Sequence, residues 1–334
     1  MTELKFDTTC IGNAIVDVIG QTDDAFLKSE NLTKNAMALI DMDRAEDLYG
    51  KMTTAIEMSG GSAGNTAAGI ASLGGKCAYV GKVRDDQLGD IFTHDIRAIG
   101  VTFETVKSTS GPATARSLIL VTPDAHRTMN TYLGACIELG PDDIDPDMIA
   151  ASKVTYMEGY LWDPQSGKDA FRKAAKIAHE ARREVSLTLS DSFCVDRYRE
   201  EFREFIDGGV DILFANEDEV KSLYETDDFD AALEAVKGHV KIACLTRSEK
   251  GSVIVTATES HKIDAIPGVN VVDTTGAGDL FASGFLYGYT NGYSLADSGR
   301  LGAIAAAEVI SHYGARPIAN LKELAATQLP QVKA

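Results

Sequence analysis

The stretch VVDTTGAGDLFASG, residues 271–284, places an extended, β-branched run before a Gly-Ala-Gly turn and an apolar segment with helical character. This order predicts a strand, a tight turn and a helix with small residues in its first turn. Backbone N–H groups at a helix start lack partners, and the helix dipole favours negative charge, so the turn suits a phosphate group. Asp279 follows directly, where it is a candidate to take a proton from an attacking hydroxyl.

Ordinary structural explanations of the same turn stay open, because an aspartate near a helix start is a common cap and Gly-x-Gly turns are frequent. Two familiar nucleotide-binding schemes do not fit. Phe281 stands where a dinucleotide fingerprint needs its third glycine, and Ile70 stands where a P-loop ending in Gly75-Lys76 needs its first.

The chain has 334 residues, with 32 basic and 50 acidic side chains and a formal net charge of −18. Nucleic acids and anionic membranes bind basic surfaces, so we expect neither as a partner. The five cysteines form no CxxC pair, which is typical of buried thiols in a reducing compartment. No apolar run approaches the roughly 20 residues of a membrane span and no signal peptide is recognisable, so we expect a soluble, cytoplasmic protein.

Short β-rich runs alternate with helical patterns along most of the chain. The predicted strands are residues 8–12, 77–81, 154–158, 185–189, 212–215, 242–246 and 253–256. The predicted helices are residues 64–73, 86–99, 166–181, 217–224, 229–237, 278–289 and 295–311. Alternation at this spacing, with nearly continuous apolar strands, favours an α/β fold with a doubly wound, mainly parallel sheet sandwiched by helices. We expect one domain over residues 1–334.

Two regions interrupt this alternation, at about residues 17–41 and 113–133. The second region reads as a hairpin with its turn at residues 123–126. Together they predict a small β-structure that projects from the main domain as a candidate lid. Arg127, just beyond the turn, could swing toward a bound phosphate, although a solvated surface role explains it equally well.

A second glycine-rich segment, MSGGSAGNTAAG, covers residues 58–69. Paired glycines such as Gly61 let the backbone approach a ligand closely, and Asn65 offers both a donor and an acceptor for a sugar hydroxyl. Asp17, just after the first predicted strand, could accept hydrogen bonds from a vicinal diol. A tight turn with a cap, and a solvated turn aspartate, are the structural alternatives.

Two further segments follow predicted strands. Asn216 and Glu219 lie three residues apart at a helix start, where an amide and a carboxylate suit Mg²⁺. An asparagine cap with an acidic first turn gives the same pattern. The segment LTRSEKG, residues 245–251, offers hydroxyl and basic groups that could line a nucleotide.

The order of these pieces along the chain resembles the ribokinase-like, PfkB-type family of carbohydrate and nucleoside kinases. It runs from an early aspartate and GG-x-x-x-N through the predicted lid, N-x-x-E and T-x-x-x-x-G to a late DTTGAGD. The resemblance covers nearly the whole chain. GGSAGN looks like the family's first signature, and DTTGAGDLFASGFL looks like its second, more specific one.

The resemblance implies a role for each matching position. Asp279 would be the catalytic base, and the amides of Gly276, Ala277 and Gly278 would form an anion hole for the transferred phosphoryl group. Asn13, Asp17, Gly61 and Asn65 would hold the acceptor. Thr246, Arg247, Gly251 and Gly278, with residues 303–314, would border ATP. Asn216 and Glu219 would organise Mg²⁺, mostly through water. A K⁺ ion beside Asp273 and Thr275, as in some relatives, is left open.

The segments NAIVD, residues 13–17, and TYLGA, residues 131–135, look closer to the adenosine kinase branch of the family than to ribokinases. An apolar slot for a base could come from Ile15, Met37, Tyr160, Leu161 and Trp162, although core or lid packing explains them equally well. We therefore expect 5′-phosphorylation of a ribonucleoside, with adenosine first. The alternatives are a kinase for a free sugar or sugar phosphate, such as ribose or fructose, and a non-catalytic binding protein. Monomer and homodimer remain equally open.

Overall fold

The computed structural model describes residues 2–124 and 126–329. The strands are β1 (Phe6–Ile11), β2 (Ile15–Gln21), β3 (Met37–Leu39), β4 (Ala55–Ser59), β5 (Cys77–Val80), β6 (Thr102–Phe103), β7 (Ala115–Val121), β8 (Arg127–Tyr132), β9 (Ser152–Glu158), β10 (Glu184–Thr188), β11 (Ile212–Asn216), β12 (Ile242–Thr246), β13 (Ser252–Val255) and β14 (Ser260–Ile263). The helices are α1 (Asp24–Ser29), α2 (Met42–Lys51), α3 (Ser62–Ser72), α4 (Gln87–Ala98), α5 (Pro146–Ala150), α6 (Gln165–Glu180), α7 (Ser192–Gly209), α8 (Glu217–Leu223), α9 (Phe229–Val236), α10 (Ala277–Thr290), α11 (Leu295–Val309) and α12 (Leu321–Gln328).

A large sheet of nine strands forms the centre of the molecule, in the order β14-β13-β12-β11-β10-β9-β1-β5-β6. Its pairings are parallel from β6 to β12, and only β13 and β14 run antiparallel. The strands are buried on both faces because helices cover each side and form separate apolar clusters with them. The predicted doubly wound α/β fold is therefore confirmed. Within the described residues no helix is long and apolar enough to cross a membrane.

The strand order reverses between β1 and β9, which fixes where a ligand is expected. From β1 the chain first builds outward to β5 and β6, and it later returns to add β9 on the other side. In open α/β sheets the crevice at such a reversal, outside the carboxyl ends of the strands, is the usual ligand site. Asn13 follows β1 and Glu158 ends β9, so both residues lie at this reversal.

A second sheet of five strands has the order β3-β8-β7-β2-β4. It gathers strands from the two segments predicted as a lid, but it also contains β4, which lies outside the expected boundaries of 17–41 and 113–133. β2 begins at Ile15, two residues earlier than expected. The hairpin turn predicted at 123–126 includes Ala125, which lies outside the described residues. Met37 and Ile56 are exposed on this sheet.

The strand predicted before the Gly-Ala-Gly turn is wrong, because residues 271–275 form no ladder. Instead the amides of Val272 and Asp273 both donate to the carbonyl of Ile310, at the end of α11, over 2.8 and 3.3 Å. The Asp273 carboxylate accepts the amide of Thr275 at 3.0 Å. An aspartate that bonds its own backbone two residues on favours a turn over a strand.

Candidate active site

The Gly-Ala-Gly turn is shaped by Gly276, which adopts a left-handed backbone conformation with φ of 79° at the start of α10. A Cβ there would lie 2.8 Å from the carbonyl of Ala315, so only glycine fits. Ala277 donates its amide to Thr274 at 3.2 Å. The amides of Gly276 and Gly278 have no acceptor among the described residues, and the space beside Gly278 is open. The turn therefore presents two free donors, one fewer than the sequence predicts.

Asp279 occupies the third position of α10 and is held by two donors from α3. Its Oδ1 accepts the Ser62 hydroxyl at 2.7 Å, and its Oδ2 accepts the Asn65 side-chain amide at 3.0 Å. Loss of water around the carboxylate raises the pKa of Asp279, and the two hydrogen bonds partly offset this rise. The structure thus brings the two glycine-rich segments of the sequence together at one carboxylate.

Close approach of α3 to α10 makes this junction possible. A Cβ on Gly69 of α3 would overlap the Ser283 hydroxyl of α10. The Thr66 hydroxyl also donates to the backbone carbonyl of Asp279 at 3.2 Å. Small residues along α3 therefore serve to position the Asp279 carboxylate, in addition to giving backbone access near its N-terminus.

The other residues predicted to bind the phosphoryl acceptor surround the amino end of α3. Gly61 has φ of 84°, and a Cβ there would overlap the carbonyl of Asn13, so the two loops touch directly. Asn13 is buried and donates its side-chain amide to Glu158 at 2.8 Å. One N–H of its side chain therefore binds within the protein framework.

Glu158 is a site residue that sequence reasoning missed. Its carboxylate accepts the Asn13 amide at 3.0 Å and the Ala63 amide at 2.7 Å, in addition to the Asn13 side chain. Burial raises the pKa of Glu158 to about 7, although these hydrogen bonds act in the opposite direction and lower it. Glu158 ties the loop after β1 to the start of α3. The only sequence signal was an acidic residue at the end of a buried apolar strand.

Asp17 lies on β2 with its carboxylate over Gly60, where any Cβ would overlap it. No hydrogen bond reaches this carboxylate from the described residues. Burial raises the pKa of Asp17 to about 6, while Arg316 and Arg127 oppose the rise through their charges and Asp279 adds to it. An unsatisfied acceptor close to Asp279 is free to receive hydroxyl donors.

Asn216 and Glu219 form a closed capping box at the start of α8. The Asn216 side chain donates to Glu219 Oε1 at 2.6 Å, the Asn216 amide donates to Oε2 at 2.9 Å, and the Glu219 amide donates back to Asn216 Oδ1 at 2.9 Å. Burial raises the pKa of Glu219 to about 7, and the charges of Asp191 and Asp279 add to the rise. The structural alternative, an asparagine cap, is thus present, and each carboxylate oxygen accepts one hydrogen bond within the cap.

The segment predicted to line a nucleotide begins at Thr246, which pairs with Asn216 on the neighbouring strand. The Arg247 side chain is already engaged, because its Nε donates to Glu217 at 3.0 Å and its guanidinium lies 3.8 Å from the Phe229 ring centre. Gly251 has φ of 80° at a tight turn. The structure places Thr246 at the edge of the site and holds Arg247 on α8 and α9.

Arg127 is buried, so the solvated surface role is wrong. Its Nη1 lies 2.9 Å from Asp273 Oδ2, and both side chains are less than a tenth exposed. Asp273 Oδ2 also accepts the Gly314 amide at 3.2 Å. The pair joins the five-stranded sheet to the loop before the Gly-Ala-Gly turn, and it gives Asp273 a cationic partner where a K⁺ ion was considered.

The sequence profile of the pfkB family carbohydrate kinases matches residues 8–321 of the chain. The chain belongs to the pfkB family. It is therefore a kinase that transfers a phosphate to a hydroxyl acceptor, and the resemblance drawn from its sequence motifs is confirmed.

Relatives of this pfkB kinase include enzymes named for different acceptors. It is 58% identical to a probable sugar kinase of Rhizobium etli, with a TM-score of 0.92 and 99% of each chain covered. It is 57% identical to an adenosine kinase of Sinorhizobium meliloti, with a TM-score of 0.90, over 98% of this chain and 100% of the other. Adenosine kinase of Saccharomyces cerevisiae is 26% identical over 327 residues, which cover 91% of this chain and 94% of the yeast protein.

Two residues of the expected base slot belong to the core of this pfkB kinase. Trp162 is fully buried, with its ring centre 4.9 Å from that of Phe202, and Leu161 is also buried in the same cluster. Tyr160 donates its hydroxyl to the Ser190 carbonyl at 3.3 Å. Of the predicted slot, only Ile15 and Met37 lie on the five-stranded sheet.

Proposed function

We propose that this kinase transfers the γ-phosphoryl group of ATP to the primary hydroxyl of a ribonucleoside, with adenosine as the first candidate. One observation carries the catalytic part of the proposal. The Asp279 carboxylate accepts two donors from α3 and belongs to the same helix start as the free amides of the Gly-Ala-Gly turn, and its charge acts on the unsatisfied Asp17. A hydroxyl bound there would have a base on one side and anion-binding amides on the other.

The chemistry of the proposed step rests on position and charge. Asp279 accepts the proton of the attacking hydroxyl, a contribution on the order of 10²–10⁴-fold. The amides of Gly276 and Gly278 donate to the negative charge on the transferred group, at roughly 10²–10³-fold per donor by analogy with oxyanion holes. Asp17, Gly61 and Asn65 hold the acceptor, and Thr246 borders ATP.

Mg²⁺ is part of the proposal because carboxylate and amide oxygens suit it. Asn216 and Glu219 would hold it through water, and it would supply positive charge beside the phosphates.

Potassium fits less well, because the side chain of Asp273 already binds Arg127, Gly314 and Thr275. We propose that K⁺ is dispensable, so exchange of potassium for sodium in the assay should leave the rate within about twofold.

The choice of adenosine is supported by the adenosine kinase of Sinorhizobium meliloti, at 57% identity over nearly the whole chain. Ile15 and the exposed Met37 are the apolar side chains that could contact a base. The probable sugar kinase of Rhizobium etli, at 58% identity, keeps a free sugar as the alternative acceptor. The five buried, free cysteines support a reducing compartment such as the cytoplasm.

We also propose that the five-stranded sheet acts as a lid over the acceptor. A lid would exclude water, which otherwise competes for the phosphoryl group. Arg127, on β8, joins this sheet to the loop that carries Asp273, so closure and the shape of the Gly-Ala-Gly turn would be coupled.

The test is coupled ADP release with adenosine, inosine, ribose, fructose and fructose 6-phosphate as acceptors. We expect turnover with adenosine, at a kcat/KM at least tenfold above that for any of the sugars. Turnover of a free sugar with none of either nucleoside would contradict the nucleoside proposal and favour the sugar kinase. No turnover with any acceptor would contradict both.

A further inference from the structure

Arg316, in the loop between α11 and α12, reaches the acceptor side of the site although no sequence motif pointed to it. Its Nε donates to Asn65 Oδ1 at 3.4 Å, and its Nη1 donates to the Ser59 hydroxyl. Its Nη2 is buried and has no acceptor among the described residues. A Cβ on Gly64 would lie 3.4 Å from that nitrogen, which places Nη2 against the first turn of α3.

The charge of Arg316 is balanced within the protein. Asp17 and Asp95 both face it and stabilise the guanidinium, which burial otherwise disfavours. The same interaction stabilises the carboxylate of Asp17. Arg316 and Asp17 therefore form an oppositely charged pair beside Asn65, and the pair needs no further anion.

A buried N–H without an acceptor is costly, so the open Nη2 of Arg316 would gain from a ligand that accepts its hydrogen bond. This nitrogen lies against Gly64 in the first turn of α3, where the acceptor is expected to bind. Asp17, which is also without a hydrogen-bond partner, supplies the complementary acceptor. A donor and an acceptor left open around the amino end of α3 match a hydroxyl, which is both acceptor and donor.

We propose that Arg316 is a specificity residue, whose Nη2 donates to a sugar hydroxyl oxygen of the acceptor while Asp17 accepts from the adjacent hydroxyl. The pair then recognises a neutral vicinal diol. A phosphate at this position is disfavoured, since Asp17 and Asp95 already lie near the guanidinium and the charge of Asp279 acts on Asp17. This assignment rests on the proposed phosphoryl transfer to a sugar hydroxyl, and it holds for a nucleoside or a free sugar.

The test compares Arg316→Gln and Arg316→Lys with Arg172→Gln, a matched loss of an exposed arginine on α6. Loss of a charged donor to the acceptor should raise the acceptor KM about 10- to 100-fold in Arg316→Gln. The KM for ATP should change less than twofold, and Arg316→Lys should recover part of the loss. Arg172→Gln should match wild type throughout.

Deoxy analogues separate recognition from a structural role. Wild type should discriminate against 2′-deoxyadenosine or 3′-deoxyadenosine, and this discrimination should shrink at least fivefold in Arg316→Gln and in Arg316→Lys. Equal discrimination in wild type and both variants would overturn the proposal, as would an unchanged acceptor KM. If wild type phosphorylates ribose and not adenosine, the nucleoside proposal fails, and Arg316 is tested in the same way with 2-deoxyribose.

Discussion

The pairs Asn65–Asp279 and Asn216–Glu219 each join an amide to a carboxylate at the start of a helix, but their partners come from different distances. Asn65 and Asp279 are 214 residues apart and meet because α3 packs on α10. Asn216 and Glu219 are three residues apart and satisfy each other within one turn. The first carboxylate receives two donors from α3 at the helix start that follows the Gly-Ala-Gly turn, whereas the second closes a reciprocal cap.

This difference separates a carboxylate whose position depends on the whole fold from one whose position depends on its own helix end. The Asn216–Glu219 box would form in any helix with this sequence, since reciprocal capping is a local preference. Indeed, Asn320 and Glu323 repeat the N-x-x-E pattern at the start of α12, where Asn320 caps the helix through the Glu323 amide. The Asn65–Asp279 pair exists only in the folded protein, and it is the better indicator of function.

The largest expected effect is the loss of activity when the long-range Asn65–Asp279 pair is changed. Asp279→Asn removes the proposed base but keeps the shape, so kcat should fall about 10³-fold or more, while acceptor binding measured by calorimetry changes little. Asp297→Asn is the matched control, because Asp297 occupies the same third position of α11. If the kcat of Asp279→Asn stayed within tenfold of wild type, Asp279 would not be the base.

The next effect concerns Glu158, whose carboxylate also bridges distant segments. Because its pKa rises from 4.5 to about 7 in the folded state, Glu158 favours folding below pH 4.5, and this contribution is lost as the pH rises to 7. Glu158→Gln should therefore reduce the fall in free energy of unfolding between pH 5 and pH 8 by roughly 2 kcal/mol. Urea denaturation at both pH values measures this difference, and an unchanged fall would show that Glu158 does not titrate in this range.

A smaller effect is expected on the Mg²⁺ requirement when Glu219, in the local Asn216–Glu219 pair, loses its charge but keeps its capping role. Glu219→Gln keeps the capping box but removes the charge, so the Mg²⁺ concentration for half-maximal activity should rise about tenfold. Glu323→Gln makes the same change at α12, where the side chain is exposed, and should leave the Mg²⁺ requirement unchanged. A Mg²⁺ titration in which both variants follow wild type would leave Glu219 with capping alone.

The smallest expected effect is the loss of stability when a helix cap is removed. Asn216→Ala and Asn320→Ala each remove an asparagine cap, and each should lower the free energy of unfolding by about 1 kcal/mol. Thermal or urea denaturation measures both. A loss above about 3 kcal/mol for Asn216→Ala alone would mean that Asn216 supports more of the fold than one helix end.

Much of the fold was accessible from the sequence because its signals are local. The strand predicted at 242–246 is the observed β12 (Ile242–Thr246), and the predicted helix at 295–311 differs from α11 (Leu295–Val309) only at its end. Helix α7 was missed, and its helical geometry breaks at Tyr198. Strand β4 was missed, although it completes the small sheet by pairing with β2.

The candidate site was predictable only in part, for the same reason. Asp279 and Asn65 stand in motifs that a reader can find, whereas Glu158 and Arg316 stand in none. Glu158 acts on Asn13 from 145 residues away, and Arg316 acts on Asn65 from 251 residues away. Their roles depend on the strand order and on helix packing, which no short segment contains.

We propose that Asp279, held by α3, is the base, and the pH dependence of kcat for wild type, Ser62→Ala and Ser294→Ala checks this role. Ser62 donates to Asp279 at 2.7 Å and lowers its pKa, and Ser294 donates in the same way to Asp297 at 2.8 Å outside the site. In wild type kcat should fall as the pH drops through the raised pKa of Asp279. Ser62→Ala should move this fall to higher pH, because the hydrogen bond that lowers the pKa of Asp279 is lost, and Ser294→Ala should leave it in place. A fall in kcat at the same pH in all three proteins would contradict the claim.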